Sequence, residues 1–348
     1  MHEIEHITPS DYSAWNEYVL SRSQAGPYLS THWKESIEKG YGHKTYYLAA
    51  YKNKRITGIL PLARISPPLG RNSLVSLPFC DYGGLLTDDD EAAELLLEKA
   101  LSMAGELRSD LEIRNADFLR FLDNDHRFIQ CTDKCRMILE LPETSELLWS
   151  KFKSKLRSQI KRPSKEGLFV RLGQDELLPD FYHVFSRNMR DLGSPVHSSR
   201  WIKSVIESFG DHARICTVYK GDIPAAAGII LMHANTVNVP WASALKEYNR
   251  LSPNMLLYWT FLKFAADNGY RFFDFGRSSP GEGTYTFKQQ WGAEPLPLYW
   301  NRMASRGRVN GDLKSKSSFR SVGERLWRNL PVTVANTLGP RLRKYIDK

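Results

Sequence analysis

The chain of 348 residues has few cysteines and no long apolar run. Because no stretch reaches the roughly 18 apolar residues that a membrane-spanning helix needs, the sequence predicts none. The N-terminus is acidic and lacks an apolar core, so we expect no signal peptide. A disulfide framework is not expected either, and we predict a reduced, cytoplasmic protein from its four cysteines, Cys80, Cys131, Cys135 and Cys216.

Several motifs of enzyme chemistry are also missing. The chain has no Gly-x-Ser-x-Gly elbow, no Walker loop and no dinucleotide fingerprint, which argues against a serine triad and against common nucleotide sites. Cys131 and Cys135 lack a second cysteine pair or a nearby His-x-x-x-His, and the histidines are scattered. We therefore predict no metal site.

The formal net charge of +9 is concentrated at the C-terminus. Residues 301–348 contain twelve basic and three acidic side chains, whereas residues 1–300 contain 36 of each sign. Because residues 1–300 are neutral on average, the overall positive charge does not indicate that the protein binds nucleic acid. No DNA partner is predicted.

Residues 1–140 and 166–300 show a similar order of predicted elements, without a residue-level repeat. In each, two helices are followed by a hairpin of apolar strands, a long helix and a further strand. In the second half the long helix begins at Pro253, with Ser252 as its cap, and ends before Asn268-Gly269. This order is typical of GNAT-type acyltransferases, so we expect an α+β fold with two tandem GNAT-like domains, each a mixed sheet flanked by helices.

A basic inter-domain helix is predicted within residues 141–165. Its apolar residues recur at helical spacing on one face, at Trp149, Phe152, Leu156 and Ile160, and Pro163 is expected to end it. Seven basic residues and no acidic one lie between positions 151 and 165. The helix is either a solvated linker or a phosphate-binding surface with Lys155, Arg157 and Lys161.

The strand Tyr270–Phe275 ends in a charged turn that contains glycine, and strand ends of this kind often carry the chemistry of α/β enzymes. Asp274 alternates with two phenylalanines and points away from them, so it either orients an acceptor amine or is a buried structural aspartate. Arg277 follows Gly276, where it can bind a phosphate or carboxylate or form a structural ion pair.

Three segments resemble FemAB-like proteins: residues 155–167, residues 253–278, and the run from Phe287 to Pro295. The resemblance covers residues 145–300 and is greatest to the FemAB-related branch found with bacterial exopolysaccharide and PEP-CTERM/exosortase gene clusters. It implies N-acyl or aminoacyl transfer to an amine of a cell-envelope or exopolysaccharide precursor, which is nucleotide- or lipid-linked. The implied donor is acyl-CoA or aminoacyl-tRNA, with no tightly bound cofactor.

In the tRNA-dependent FemAB proteins, the Phe-Lys pair that matches Phe287-Lys288 lies at the catalytic centre. The resemblance therefore implies that Lys288 stabilises the oxyanion of acyl transfer, and the alternative is a surface lysine between core aromatics. The chain departs from ordinary GNAT enzymes at residues 249–254, where the loop before the long helix contains no glycine. This departure argues against a coenzyme A site of the usual form.

Further candidates have weaker support from the sequence. Glu282 is a candidate general base, although the glycines on either side of it more often serve only loop geometry. Tyr285, one of sixteen tyrosines, is a candidate proton donor. Contacts with donor or substrate are also predicted for six residues, Ser278, Trp241, Tyr248, Asn254, Tyr258 and Phe287. Core packing explains Trp241 equally well.

The tail, residues 301–348, begins with the composition of a flexible linker and continues with apolar residues at helical spacing. Its basic amphipathic part, residues 319–348, is predicted to contact a partner or an anionic membrane surface, at the inner face of the membrane. The alternative is a helix that packs back over the domains.

Two other functions remain open from the sequence. One is an aminoacyl-tRNA-dependent aminoacyltransferase of the peptidoglycan type. The other is a catalytically inactive accessory protein of polysaccharide assembly that binds RNA or another polyanion, which the basic helix and the glycine-free loop favour.

Overall fold

The computed structural model describes residues 2–122, 125–303 and 316–347. Its helices, in chain order, are α1 (Tyr12–Leu20), α2 (Thr31–Tyr41), α3 (Asp90–Glu106), α4 (Ser145–Lys151), α5 (Ser154–Lys165), α6 (Leu178–Asp191), α7 (Ser199–Phe209), α8 (Pro253–Asp267), α9 (Gly283–Gln289), α10 (Lys316–Arg328) and α11 (Val332–Arg343). Its strands are β1 (Glu3–His6), β2 (Lys44–Lys52), β3 (Arg55–Ile65), β4 (Asn72–Val75), β5 (Leu86–Thr87), β6 (Ser109–Asn115), β7 (Ile129–Cys131), β8 (Cys135–Glu140), β9 (Leu168–Gly173), β10 (Ala213–Lys220), β11 (Ile223–His233), β12 (Thr236–Ala244), β13 (Phe272–Ser278), β14 (Glu294–Pro297) and β15 (Tyr299–Met303).

The strands form two mixed sheets. The first has the order β1-β2-β3-β4-β6-β15-β7, with β5 paired to β3, and the second has the order β14-β8-β13-β12-β11-β10-β9. Each sheet contains one parallel pair, β4 with β6 and β12 with β13, while its other pairs are antiparallel. The predicted α+β fold with two tandem GNAT-like domains is confirmed.

The two sheets exchange strands across the predicted domain boundaries. Residues 135–140 were expected in the first domain, but β8 lies in the second sheet between β13 and β14. Residues 299–303 lie at the predicted end of the second domain, but β15 pairs with β6 and β7 of the first sheet. The divisions at residues 140 and 300 therefore do not match the sheets, because a strand joins the edge that offers it backbone partners.

The basic segment also differs from its prediction. It forms two helices rather than one, because Phe152 adopts an extended conformation with ψ 140° and packs in the core beside Trp259 and Trp291. Pro163 lies inside the last turn of α5 instead of ending it. Helix α5 packs on α8 and β9, so it belongs to the second domain and does not lie between the domains.

Helices from both halves share one hydrophobic core, which contains α1 and α2 of the first half and α6 and α7 of the second. Trp33 and Trp201 are fully buried there, with ring centroids 5.3 Å apart in an edge-to-face arrangement. Ser36 and Ser204 each donate a hydrogen bond to the other's carbonyl, at 3.4 and 3.1 Å. This shared core fixes the two sheets relative to each other.

The C-terminal helices pack back on the body. The predicted linker residues 304–315 lie outside the described residues, and among the described ones no helix is long and apolar enough to cross a membrane. Helix α11 contacts α6, and the buried Gly339 lies against Val196. At the end of the chain Asp347 accepts a hydrogen bond from Arg114 at 3.1 Å. One face of α11 therefore packs on the body, as expected from the alternative in which the tail folds back over the domains.

Candidate active site

The parallel strands β12 and β13 separate in the middle of the second sheet. Their pairing runs from Thr236 opposite Phe272 to Asn238 opposite Asp274 and ends there. Immediately afterwards Gly276 adopts a left-handed conformation with φ 75°, and the register between β13 and β8 shifts. The separation leaves polar groups of both strands without ladder partners, so side chains must satisfy them.

Asp274 lies at the last paired position and is 1% exposed. Its Oδ1 accepts a hydrogen bond from the Gly276 amide at 2.8 Å, which holds the turn. Its Oδ2 accepts hydrogen bonds from the Asn238 side-chain amide at 3.1 Å and from the Tyr82 hydroxyl at 3.4 Å. Burial raises the pKa of the Asp274 carboxyl above its ordinary value, although the nearby Arg136 guanidinium acts in the opposite direction.

Tyr82 brings the first half of the chain into this site. Its hydroxyl accepts a hydrogen bond from the Asn238 side chain at 3.0 Å and donates one to Asp274. The Arg136 guanidinium lies 5.0 Å from the centroid of the Tyr82 ring. The site is thus built at the junction of the two halves and not by the second sheet alone.

Lys288 enters from the short helix α9 and is only 7% exposed. Its ammonium donates hydrogen bonds to the carbonyls of Gly276 at 3.0 Å and Arg277 at 2.8 Å. Burial lowers the pKa of Lys288, while Asp81 and Asp274 favour its charged form. These two hydrogen bonds use two of the three ammonium protons, so one N–H remains for a ligand.

Arg277 is anchored to the first half by Asp81. The Arg277 amide donates a hydrogen bond to Asp81 Oδ2 at 2.9 Å, and its Nε lies 3.4 Å from Asp81 Oδ1. The guanidinium lies 5.2 Å from the centroid of the Trp300 ring, and the Trp300 indole donates to the Asp81 carbonyl at 3.0 Å. The Arg277 side chain is 29% exposed, so an anionic ligand can reach it.

The buried Asp274, the buried Lys288 and the accessible Arg277 therefore meet around one turn. A positive charge held on backbone carbonyls can stabilise an oxyanion that develops beside it. A carboxylate whose pKa is raised can accept a proton from an amine. The arrangement meets the needs of acyl transfer to an amine, which requires a proton acceptor and a site for negative charge.

The other predicted residues of this segment lie close in sequence but differ in environment. Ser278 is 4% exposed, and its hydroxyl has no hydrogen-bond partner among the described residues. Glu282 is exposed and precedes α9 without a side-chain capping bond. Tyr285 and Phe287 are partly buried and pack against the second-domain core. These placements leave their predicted roles as predictions.

The predicted donor contacts fall on two faces of the second sheet. Trp241 and Tyr248 pack against the core that both halves share, and the Trp241 ring stacks 6.4 Å from that of Trp33. Tyr258 lies in the core on the other face, where its ring stacks on Phe275 at 5.5 Å. Asn254, in the first turn of α8, has a buried Oδ1 that accepts no hydrogen bond from the part of the chain that the structure describes.

The three predicted basic residues of α5 form no described hydrogen bond or ion pair with Asp274, Arg277 or Lys288. Lys155 and Lys161 are exposed, and Arg157 is half-buried. The Lys161 ammonium lies 5.4 Å from the Trp149 ring centroid, beside a surface groove of about 510 Å³ between α5 and α8. A phosphate-binding role for these residues would require a ligand that extends over this groove.

Sequence reasoning missed five residues that complete the site. They are Asp81, Tyr82, Arg136, Asn238 and Trp300. One indication was present in the sequence, since an asparagine between two valines in an apolar strand is unusual and indicates a specific hydrogen-bond partner. Asp81, Tyr82 and Arg136 lie outside residues 145–300, where the motifs were recognised, and Trp300 is the last residue of that segment.

One group among the described residues has the composition of a metal site, namely His2, Asp89 and Glu91. The His2 ring nitrogens lie 3.3 Å from Asp89 and 3.1 Å from Glu91, so each nitrogen faces a different carboxylate. The group lies in the first half, at the start of α3, away from the turn that carries Asp274 and Arg277.

Comparisons with known proteins support the fold described above. Residues 150–289, which include β12, β13 and Lys288, match the family model described as an acetyltransferase (GNAT) domain. FemX shares the fold with a TM-score of 0.64 at 15% identity, over 86% of this chain and 96% of FemX. A tandem GNAT protein from the clavulanic acid biosynthesis pathway gives 0.59 at 10% identity, over 89% of this chain and all (100%) of its own.

L-PGS from Bacillus licheniformis is similar as well, with a TM-score of 0.58 at 14% identity, over 94% of this chain and 99% of its own. No curated protein matches the chain in sequence. These likenesses show that the chain has a tandem GNAT-like fold, and that its second half matches the family model of a GNAT acetyltransferase domain over residues 150–289.

Proposed function

We propose that this protein is an N-acyltransferase that transfers an acyl or aminoacyl group to an amine of a cell-envelope or exopolysaccharide precursor. The observation that supports it best is the buried Lys288 ammonium, held on two backbone carbonyls at the point where β12 and β13 separate. A buried charge is costly unless it has a function or a full set of partners, and the described part of the chain supplies Lys288 with two hydrogen-bond acceptors for its three N–H groups.

The proposed roles follow from the contacts. The acceptor amine attacks the acyl carbon, and the negative charge that develops on the acyl oxygen is stabilised by Lys288. Asp274, whose pKa burial raises, takes the amine proton directly or through the Tyr82 hydroxyl to which it is bonded. The bond from the acyl carbon to the donor then breaks, and the leaving thiol or hydroxyl takes up that proton.

The donor is proposed to bind differently from coenzyme A in a glycine-rich loop. Residues 246–251 form a 3₁₀ helix, and Ser252 adopts a left-handed conformation with φ 56°. The Ser252 amide already donates to the Asn249 carbonyl at 3.0 Å, and Pro253 has no N–H to offer. Fewer backbone donors are therefore available to a pyrophosphate, so an acyl-CoA would depend on side chains such as Asn254.

The proposed acceptor class rests on the resemblance to FemAB-related proteins, and Arg277 supports an anionic acceptor. Its guanidinium, which is partly exposed and lies 5.2 Å from the Trp300 ring centroid, can bind a phosphate or carboxylate of a nucleotide- or lipid-linked precursor. The four cysteines are all free, which fits our proposal that the protein works in the cytoplasm.

Mass spectrometry of small molecules retained by the purified protein would first identify the donor class. Thiol release from an acyl-CoA panel and deacylation of an aminoacyl-tRNA panel, each with amino-sugar acceptors, would then test transfer. We expect Lys288→Met to lose at least about 100-fold in rate. The matched control is Lys203→Met, which removes an exposed lysine from α7 and should retain activity.

Three outcomes would decide between the proposal and its alternatives. Turnover by Lys288→Met at the wild-type rate would refute the assignment of that residue. Robust transfer from acyl-CoA alone would exclude the tRNA-dependent alternative. Salt-sensitive RNA retention without turnover of any donor would favour an inactive polyanion-binding protein instead.

A further inference from the structure

The C-terminal helices expose an unusual number of apolar side chains. Six of the 17 exposed large apolar residues in the described chain lie within residues 322–346, namely Val322, Leu326, Val334, Leu338, Leu342 and Ile346. Leu326 is 66% exposed, so its side chain is largely in water. Single exposed apolar residues are normal on a protein surface, but a concentration in one short segment indicates an interaction site.

The opposite face of the same helix is already used for packing. Ala335 is 2% exposed, Gly339 is buried against Val196, and the Asn336 side chain donates to Ser186 Oγ at 3.3 Å. Helix α11 is thus fixed to the body by one face, while Val334, Leu338 and Leu342, spaced four residues apart, point outwards. The exposed residues cannot be explained as a core-facing stripe.

The exposed charged side chains of residues 322–346 in the described chain are arginines. Arg325, Arg328 and Arg341 are exposed, whereas Arg343 is turned inwards, where its Nε lies 3.1 Å from His197 Nε2. Of the two acidic residues in this part, Glu324 packs close to Gly193 and Asp347 is bonded to Arg114. The surface of the tail therefore presents apolar side chains together with arginines.

We propose that this surface, defined by Val322, Leu326, Val334, Leu338, Leu342, Ile346 and the three exposed arginines, docks the enzyme on an anionic lipid surface. Exposed apolar side chains with cationic neighbours are what binding at a membrane interface requires, because the apolar groups enter the boundary and the arginines meet the headgroups. A negatively charged phospholipid surface complements both the apolar side chains and the arginines, whereas a neutral one complements only the apolar side chains.

Vesicle flotation of the full chain tests this proposal without any measurement of activity. Phosphatidylcholine vesicles with and without phosphatidylglycerol serve as the probes. We expect binding only to the anionic vesicles, and a decrease as salt is raised. Two double variants, Leu338→Gln/Leu342→Gln and Arg325→Gln/Arg341→Gln, should each bind the anionic vesicles at least about tenfold more weakly than the wild type.

Matched controls come from the rest of the surface. Leu20→Gln/Leu69→Gln removes two exposed leucines outside the tail, and Lys155→Gln/Lys161→Gln removes two exposed charges of α5. Both should bind vesicles as the wild type does. All variants lie on the surface, so their thermal midpoints should stay within a few degrees of the wild-type value.

The proposal would be overturned if the full chain bound neither type of vesicle, or bound both equally. It would also fail if the tail variants floated like the wild type, or if the α5 variant lost binding as strongly as the tail variants. A change in the sedimenting mass of the leucine variant, without a change in flotation, would assign the face to self-association instead. Because flotation needs no substrate, its failure would leave the proposed acyl transfer untouched.

Discussion

The ammonium nitrogen of Lys288 lies 2.8 Å from the carbonyl oxygen of Arg277, to which it donates a hydrogen bond. Through this contact a residue of α9 holds the end of β13, and the neighbouring Arg277 amide is held by Asp81 from the first half. One turn of the backbone is therefore fixed from two directions, and four variants test what this arrangement does.

The first prediction concerns the pH dependence of Lys288. Burial lowers its pKa below the ordinary 10.5, so the unfolded chain binds more protons than the folded one between the lowered pKa and 10.5. The stability of the wild type should therefore rise relative to Lys288→Met as the pH increases through that window. Urea unfolding of both proteins at several alkaline pH values measures this difference.

Catalysis should respond in the opposite direction, because the proposed role needs the charged ammonium. The rate should fall with increasing pH through the same lowered pKa. A stability difference that does not change with pH would mean that the pKa of Lys288 is not lowered.

The second prediction concerns Asp274, whose pKa is raised above its ordinary 3.8 chiefly by burial. As the pH rises from below 3.8 through the raised pKa, the wild type must ionise a buried carboxyl and loses stability. Asp274→Asn keeps an acceptor for the Gly276 amide and has no such titration. Its stability relative to the wild type should increase over that range, as measured by chemical unfolding, while transfer activity is lost.

The control for this variant is Asp180→Asn in α6 of the second half. The Asp180 carboxylate accepts a hydrogen bond from the Tyr219 hydroxyl. It should leave transfer activity unchanged. Full activity of Asp274→Asn would show that the carboxylate only supports the turn.

The third prediction compares two glycines with nearly the same backbone conformation. Gly276 has φ 75° and Gly269 has φ 77°. A Cβ at position 269 would meet nothing within 4 Å, whereas at 276 it would lie 3.1 Å from the Val239 carbonyl oxygen. Gly269→Ala should therefore cost only the left-handed strain of about 1–2 kcal/mol, and Gly276→Ala should cost more.

Thermal or chemical unfolding gives the two free energies, and the transfer assay shows whether the turn at 276 must keep its shape. Equal losses of stability would contradict the close approach of β12 to Gly276. Normal turnover by Gly276→Ala would contradict the placement of the active site at this turn.

The fourth prediction concerns the coupling between the two halves. The Tyr82 hydroxyl of the first half bonds to Asp274 of the second at 3.4 Å. In a double-mutant cycle, Tyr82→Phe and Asp274→Asn should be non-additive by about 0.5 kcal/mol or more in the free energy of unfolding. Tyr18→Phe, whose hydroxyl bonds Asp88 at 3.0 Å in the first half, should be additive with Asp274→Asn.

Several local features could be predicted from the sequence because they depend on neighbouring residues. The start of α8 at Pro253 and its end before Gly269, which has φ 77°, are as expected. The cap itself differs, since Ser252 takes a left-handed conformation and its side chain makes no capping bond. The order of helices and strands in each half was enough to predict the tandem fold.

Contacts between distant segments could not be predicted in this way. Asp81 and Tyr82 lie almost 200 residues before the turn that they hold, with separations of 196 and 192 positions to Arg277 and Asp274. Neither hairpin periodicity nor turn composition contains information about which loop meets which strand end. The exchange of β8 and β15 between the sheets was missed for the same reason.

The sequence by itself determined the elements, the concentration of positive charge in the tail, and the segment that carries Asp274, Arg277 and Lys288. These depend on residue type and on spacing along one strand or helix, which local physics sets. Only the tertiary structure decided that the Lys288 ammonium is bonded to backbone carbonyls, that Tyr82 completes the site, and that one face of α11 is covered while the other is exposed. Burial and the partners of a charge are properties of packing between distant segments, and no local pattern specifies them.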